Sequence, residues 1–527
     1  MAWLEGFTWS FLAATVMVHG SVMLLVPSLI MGLVIVATMA RRGSNESFMH
    51  SALPTSAHRS IPRPSPDLLY SVAPFDLSSV DSLVVRFKVP ACTYASMSLF
   101  DSSTNHFRTL KASSLLGNVA GGATITSMMD ATGGNGDRDY NGDNEDREIV
   151  ALLLPPDDAR GAVEQHNHGC IRLSDAERRA IVRARHFDPN SSTRRSSSSS
   201  SNGNGASSTS SSSSTSSSIA ASSRELDSAT LEAESAAIDP ADITVVRSAT
   251  FFGLILQRVL VPSNDMLERL RATQQAATVE PVIGARSRSI WRLCRVSSLT
   301  LVLAMLGFVS LAIVVFGSVL GAVLGAIVGL VSPFAVVYLV FFSRFSSHIL
   351  QTNGPWRFNP LVGSSAADMY TRAVISIVGL LALSKDEAVY YNAVSDSSGR
   401  PLHRGASYRV TIKLPLPCYW WSITAYGSDS YMIDNPAHIY SLNSTSAIPS
   451  PDDENFIVLY LGPRAPPHAD NERVNWIPTG SPDLAPTDTS RFNLTMRLYL
   501  PALEATTRQG FKALQLPRIE RLSSDGM

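Results

Sequence analysis

The chain has 527 residues, and its 43 Lys and Arg against 44 Asp and Glu give a formal net charge of −1 at pH 7. That balance offers no electrostatic case for a nucleic-acid partner, and the length allows two or three domains with real cores. Cys92, Cys170, Cys294 and Cys418 are far apart and form no CxxC pair, so they build no disulfide scaffold and fix no redox compartment.

In chain order, the first feature is Phe7–Ala40, 34 residues without a charge. About 20 suffice to cross a bilayer, and the run is too long and too weakly basic at its start for a signal peptide. It predicts one transmembrane helix of about 25 residues, tilted or kinked at Pro27, with His19 as a polar residue within it. A first β-rich domain follows over 65–285. In Tyr94–Phe100, Ala95, Met97 and Leu99 face one way and Tyr94, Ser96 and Ser98 the other, while Ser82–Val89 and Ile149–Leu154 are apolar enough for inner strands. Thr250–Pro262, whose one charge is Arg258, fits a strand or a short helix. Ser174 with Glu177 is a capping box that opens a helix. Residues 117–146 and the serine tract 190–223 are too poor in apolar surface to order themselves and predict disordered insertions.

Residues 296–343 carry no charge over 48 positions. One helix of that length would run about 72 Å, so two crossings joined near Gly317–Gly321 fit better. Gly317, Gly321, Gly325 and Gly329 recur every four residues on one helix face, a surface for close packing between the hairpin arms or for self-association. A second β-rich domain occupies 353–522: a helix over Ser364–Leu383, a capping box at Ser384 and Glu387, then strands at Tyr408–Leu414, Trp420–Tyr426, Phe456–Leu461 and Phe492–Leu500. In the last, Phe492, Leu494, Met496 and Leu498 alternate with polar residues and predict the inward face of an antiparallel sandwich. Of Trp420 and Trp421, one must enter the core and the other point away.

Two stretches, NGPWRFNPLVGSSAADMYTRAVISIVGLLALSKDEAVYYNAVSDSSGRPL and YRVTIKLPLPCYWWSITAYGSDSYMIDNPAHIYSL, closely resemble the domain of unknown function 1214. NWIPTG, RFNLTMRLYLP and LPRIERL extend the likeness over nearly all of Asn353–Leu522. YSVAPFDLSS, YASMSLFDSSTNHF and ITVVRSATFFGLILQRVLVPSNDMLERLRATQ resemble its usual companion, the domain of unknown function 1254. The resemblance implies β-rich domains that bacterial relatives carry as separate membrane-anchored proteins or as larger two-domain ones. It supplies no agreed reaction and no catalytic residues.

Several constellations carry possible chemistry. Asp137, Asp139, Asn141 and Glu148 fit a calcium-loop spacing, although ATGGNG precedes them where an entering helix is required. Glu164, His166, His168 and Cys170 would share one strand face in the manner of metal ligands, with no matching pair elsewhere. Trp356, Arg357, Trp420, Trp421, Tyr426, Asn435, Asn475 and Trp476 are the main aromatic and amide concentration. They would line a ligand pocket if they converged, and are otherwise core and turn residues. No GxSxG elbow or usable Cys–His spacing is present. Arg286, Arg288, Arg292 and Arg295 precede the hairpin as a topology signal or as contacts for anionic lipid.

The expectation is a multi-pass membrane protein with about three transmembrane helices and two antiparallel, sandwich-like β-rich soluble domains, both on one side of the bilayer. Its role would be binding or scaffolding; the alternative is a membrane-tethered enzyme or carbohydrate-binding module using the tryptophan-rich pocket. The partner is the lipid bilayer, not nucleic acid, and no cofactor or metal is implied. Arg41, Arg42, the four arginines before the hairpin and Arg344 favour the cytosol, whereas the resemblance, whose bacterial members look like exported anchored proteins, implies the exoplasmic side. Four sequons, at Asn45, Asn190, Asn443 and Asn493, would permit glycosylation there but arise by chance in a Ser-rich chain and are discounted. We take the exoplasmic side.

Overall fold

The computed structural model describes residues 2–90, 93–111, 147–156, 173–186, 228–239, 242–283, 297–338, 350–466, 474–485 and 487–522. The segments 117–146 and 190–223 lie outside them. Helix α1 spans Ala2–Arg42. Strands β1 (Met49–His50), β2 (Leu68–Asp76), β3 (Ser82–Val89), β4 (Ala95–Asp101), β5 (His106–Lys111) and β6 (Arg147–Leu154) follow. After α2 (Asp175–Arg185) and α3 (Ser228–Ala236) come β7 (Ile243–Arg247), β8 (Phe252–Leu260), α4 (Leu267–Gln275) and β9 (Thr278–Val282). An apolar helix pair, α5 (Ser297–Phe316) and α6 (Val319–Val337), precedes β10 (Gln351–Asn353), β11 (Trp356–Phe358) and α7 (Met369–Val378). The chain then forms β12 (Ala388–Ala393), β13 (Tyr408–Lys413), β14 (Cys418–Gly427), β15 (Ser441–Asn443), β16 (Phe456–Gly462), β17 (Asn475–Pro478), β18 (Phe492–Pro501), α8 (Arg508–Ala513) and β19 (Arg518–Arg521).

These strands make four sheets, ordered β1-β2-β8-β4-β5, β7-β6-β3-β9, β10-β11-β12-β18-β14-β15 and β17-β16-β13-β19. One topology is used twice. The order β2-β8-β4-β5 returns as β12-β18-β14-β15, and β7-β6-β3-β9 as β17-β16-β13-β19. Even the two parallel pairs, β6–β7 and β16–β17, correspond. The ends of β8 and β18 align by sequence, Arg258–Pro262 (RVLVP) on Arg497–Pro501 (RLYLP).

Each repeat is a sandwich. The first fills its interior with Leu69, Phe75, Leu83, Phe87, Met97 and Ile255, among others. The second uses Tyr391, Val410, Trp421, Leu459 and the predicted inward set Phe492, Leu494, Met496 and Leu498. Yet β4 and β18 are buried on both faces. Their second faces meet between the domains, where Leu68, Tyr94, Leu260, Trp420 and Tyr499 pack together. Trp421 therefore points into the sandwich and Trp420 into the domain interface, as adjacent strand residues must.

Residues 55–67 strap the first repeat to the second. Ser56 donates to Asp434 (2.7 Å), Arg59 pairs with Asp429, and Arg63 N donates to Ser430 O (2.8 Å). At its end Asp67 accepts from Ser441 and Asn443 at 2.9 and 3.1 Å.

The capping box at Ser174 and Glu177 is formed and opens α2. Thr250–Pro262 resolves to a strand, β8. Several readings change. Instead of one crossing of about 25 residues, α1 continues through Pro27 for 41 residues, about 62 Å. Its second half is a packing element, with Met31 and Ile35 against Leu254, Leu256, Leu380 and Leu381. The helix expected over Ser364–Leu383 is only α7, because the Asp368 carboxylate caps Tyr370 N and Thr371 N and the helix stops at Gly379. Ser384–Glu387 is a single turn, since β12 begins at Ala388 and the Glu387 carboxylate accepts from Tyr94 OH at 2.6 Å.

The hairpin turn lies at Gly317–Ser318. The glycine stripe meets α1 rather than the other arm. A Cβ at Gly321 would stand 2.5 Å from the Phe7 carbonyl oxygen, and one at Gly329 2.7 Å from that of Thr15. Gly317 instead ends α5 with φ +72°. Within one chain the stripe is thus already covered. By length and composition two helical stretches, Leu4–Arg41 and Val319–Val336, are long enough to cross a membrane; the apolar run Leu306–Phe316 of α5 is shorter.

The duplication generates a stability prediction. Gln257 is fully buried in the first core and neither amide atom has a partner among the described residues, while the aligned residue of the second repeat is Met496. Gln257→Met should therefore stabilise the fold by about 1–3 kcal/mol, read as a higher thermal-unfolding midpoint.

Candidate functional site

Strand periodicity aims two arginines at the domain interface. With Ile255, Gln257 and Val259 on the core face of β8, Leu256, Arg258 and Leu260 take the other; on β18 Arg497 does the same. The repeats place matching neighbours beside them. Arg258 stands opposite Tyr70 on β2 and Ser96 on β4, and Arg497 opposite Tyr390 on β12 and Ser422 on β14. A third arginine, Arg63, arrives on the strap.

Together they line a cavity of about 130 Å³. Its floor is the paired sheets, carrying Tyr70, Arg258, Tyr390, Asn392, Arg497 and Tyr499; its roof is α7 and the loop after it, with Ile375, Val378, Leu380 and Leu381. The lining contains three arginines and no Asp, Glu, His, Lys or Cys. Arg63 donates through Nη1 to Asn392 Oδ1 (2.6 Å) and Thr495 Oγ1 (3.3 Å), and its enclosed Nε has no acceptor among the described residues. Arg258 donates to Ser98 Oγ (3.0 Å) and to the Leu381 carbonyl. Arg497 donates to Thr424 Oγ1, the Arg63 carbonyl and Tyr426 OH at 3.2, 2.9 and 2.7 Å. Each guanidinium has five N–H donors, so every one keeps donors over. The phenols repeat the pattern. Tyr70 OH accepts from Ser65 N (2.9 Å) and Tyr390 OH from Leu383 N (3.0 Å), leaving both O–H protons to donate.

Among the described residues no carboxylate forms a close ion pair with these cations, although Asp67 feels the charge of Arg497. Asp67 is engaged by Ser441 and Asn443, and burial holds its carboxyl above the usual range against those hydrogen bonds. Burial brings Arg63 down to about 10 and pushes Tyr70 up to about 12, so at neutral pH the first is a cation and the second a neutral donor. Burying an unpaired cation costs several kcal/mol even after relaxation. What the arrangement can do is hold an anion in a partly open, largely apolar space.

The residues singled out from the sequence are dispersed. Trp356 and Trp421 are in the second sandwich core, and Trp356 Nε1 donates to Pro517 O at 2.7 Å. Asn435 ties its own loop through Ile433 and Ile439, Asn475 joins Ile448 to Val458, and Trp476 Nε1 donates to Gly462 O. Arg357 is half-buried on β11 beside Asn392 in register. Two of the set reach the cavity's surroundings: Tyr426, whose ring lies 5.4 Å from the Arg497 guanidinium, and Trp420, 5.4 Å from the Tyr499 ring. Asp137, Asp139, Asn141, Glu164, His166, His168, Cys170 and the arginines before the hairpin lie outside the described residues. Glu148 is on β6 with Arg86 and Arg185 as ion partners. The sequence marked Arg258 as the one charge in an apolar strand, and that was the available signal; Arg63 gave none.

Residues 387–503 match the family model described as protein of unknown function (DUF1214), and residues 45–139 the one described as protein of unknown function (DUF1254). They fall on the second and first repeats, as the resemblance implied. No curated protein matches the chain. Among solved structures, the chain is similar to the VPA0106 protein from Vibrio parahaemolyticus, with TM-score 0.50 and 12% identity over 97% of this chain and 100% of that one. An uncharacterized protein from Burkholderia cenocepacia aligns over 100% of both chains with TM-score 0.42 and 10% identity. The Vibrio likeness extends to fold alone.

Behind the roof, His106 carries the cavity's charge into a titration. Burial, then the Arg258 cation, lowers its pKa from 6.5 to about 4. A depressed histidine stabilises the fold above pH 6.5 and loses that contribution as pH falls toward 4, up to about 3 kcal/mol. Unfolding midpoints measured from pH 7 to 4.5 should fall less for His106→Gln than for the unaltered protein.

Proposed function

We propose that the protein is a membrane-anchored binding protein, with α1, α5 and α6 crossing the bilayer and the two fused β-domains held at one face. The ligand site is the cavity between the domains. The observation that carries the reading is that the helical bundle is apolar on its outside: Trp9, Val16, Leu24, Val314, Ile327 and Phe334 are exposed, Val314 by 79%. Soluble proteins rarely show so large an apolar surface. The polar groups of the bundle turn inward instead. Thr15 Oγ1 donates to Phe11 O and Gly325 O, and His19 bonds Ser332 Oγ (2.6 Å) and Tyr370 OH (2.9 Å). The 20 residues of α5 give about 30 Å, the thickness of a hydrocarbon core.

Because Phe7, Phe11 and Thr15 lie beside Gly321, Gly325 and Gly329 in turn, α1 runs parallel to α6. The N-terminus and the Gly317 turn therefore share one end of the bundle and the domains the other. Three crossings put the N-terminus across the bilayer from both domains. We place the domains on the exoplasmic face, following the exported relatives against the count of arginines. Three of the four sequons would not report on this, because Asn45, Asn443 and Asn493 are buried, at 5%, 8% and 7% exposure; Asn190 lies outside the described residues. Binding is favoured over catalysis because the lining holds none of the Asp, Glu, His, Lys or Cys side chains that most often move protons.

Carbonate-washed vesicles should retain the chain. Tags at Ser210 and Met527 should share one accessibility to protease and a tag at Met1 the other. Unlike behaviour of Ser210 and Met527 would remove the paired crossings of α5 and α6.

A further inference from the structure

We propose that the interdomain cavity takes a small organic monocarboxylate with an apolar body, its carboxylate held by Arg63, Arg258 and Arg497 and its body against the α7 roof. This rests on the cavity being the ligand site and adds the chemistry of the ligand.

Charge comes first. Three arginines line a cavity with no acidic side chain, and each guanidinium makes fewer hydrogen bonds than it has N–H donors. An anion that brought one or two oxygens would give Arg63 Nε an acceptor and offset the mutual repulsion of Arg63 and Arg497. The phenol protons of Tyr70 and Tyr390 add neutral donors of the kind a carboxylate accepts.

Size and polarity narrow the class. About 130 Å³ is near the roughly 150 Å³ of an engineered cavity that admits benzene, so the ligand is small, about six to nine non-hydrogen atoms with the carboxylate included. An inorganic oxyanion is smaller and polar all round, and would leave Leu256, Ile375, Val378 and Leu380 against nothing apolar. A sugar needs acceptors as well as donors on several sides; the three arginines only donate, and Asn392 Oδ1 and Thr495 Oγ1 already accept from Arg63. A carboxylate head with a short apolar body matches both surfaces.

Benzoate is the probe, used on the full chain in detergent micelles, with benzamide as its neutral counterpart and inorganic phosphate as the polar anion. Calorimetry should show benzoate binding and a raised unfolding midpoint at concentrations up to about 10 mM, with benzamide and phosphate at least tenfold weaker. Arg63→Met should weaken benzoate binding at least tenfold, and Arg63→Lys should restore part of it. Should Arg63→Met fail to fold, Ile375→Trp on the roof replaces it and should abolish binding by filling the space. Benzamide binding as tightly as benzoate would keep the cavity as a ligand site and overturn the carboxylate. Phosphate binding as tightly as benzoate would overturn the apolar body. A folded protein that takes none of the three would overturn both the site and its ligand class, whatever its membrane topology.

Discussion

The burial of two sheets against each other by their second faces governs this molecule. A sandwich needs one apolar face per sheet, and both repeats have it. The larger sheet of each must then lose its remaining face from water as well, and that face is written in serine, threonine, asparagine, tyrosine and arginine. Polar groups removed from water have to satisfy one another, and the interface is arranged around that demand. Ser98, Thr424, Asn392 and Thr495 accept from guanidinium groups, backbone amides reach the phenols, and a strap from the first repeat brings carbonyls and side chains across the second. Where the inventory of acceptors runs short, the arginines remain with donors to spare.

The helical part is coupled to the same interface. The first helix serves two environments along its length: its first half lies against glycines of α6, and its second half packs on β8 and on the loop that closes the cavity. His19 joins α1 to α6 and to α7 through Ser332 and Tyr370. The cavity roof is thus attached on one side to the bundle and on the other, through Leu381, to Arg258.

Most of the architecture was legible in the sequence. Alternation located β3, β4, β13, β14, β16 and β18 and chose the inward residues of β18 correctly, because one face of each is an apolar core. The error lay in what the alternation leaves unsaid. A strand with polar alternates looks the same whether its second face meets water or another protein surface, so Arg497, Thr495 and Asn493 gave no hint of burial. The helix boundaries at Ser364–Leu383 failed for a different reason: apolar residues continue past Gly379, where the chain stops being helical and becomes the cavity roof. The site itself was invisible because its members come from six separate segments, and tryptophan content, the signal followed instead, marks cores as readily as pockets. The internal repeat was open to reading in RVLVP and RLYLP, but a five-residue likeness gains meaning only once the strand orders are seen to coincide.

The fusion of two like domains has a consequence for what their shared surface can hold. Two identical subunits around an axis must present every residue in duplicate, so an arginine reaching across the seam would arrive with a twin of the same charge. A single chain is released from that rule. Seven residues before Tyr70 stands Arg63; seven before Tyr390 stands Leu383, and both line the cavity. The two halves have thus been free to diverge at matched positions, one polar and one oily, and the chamber they enclose is lopsided. It can grip a molecule that has a head and a tail, a discrimination that a strictly symmetric vestibule lacks.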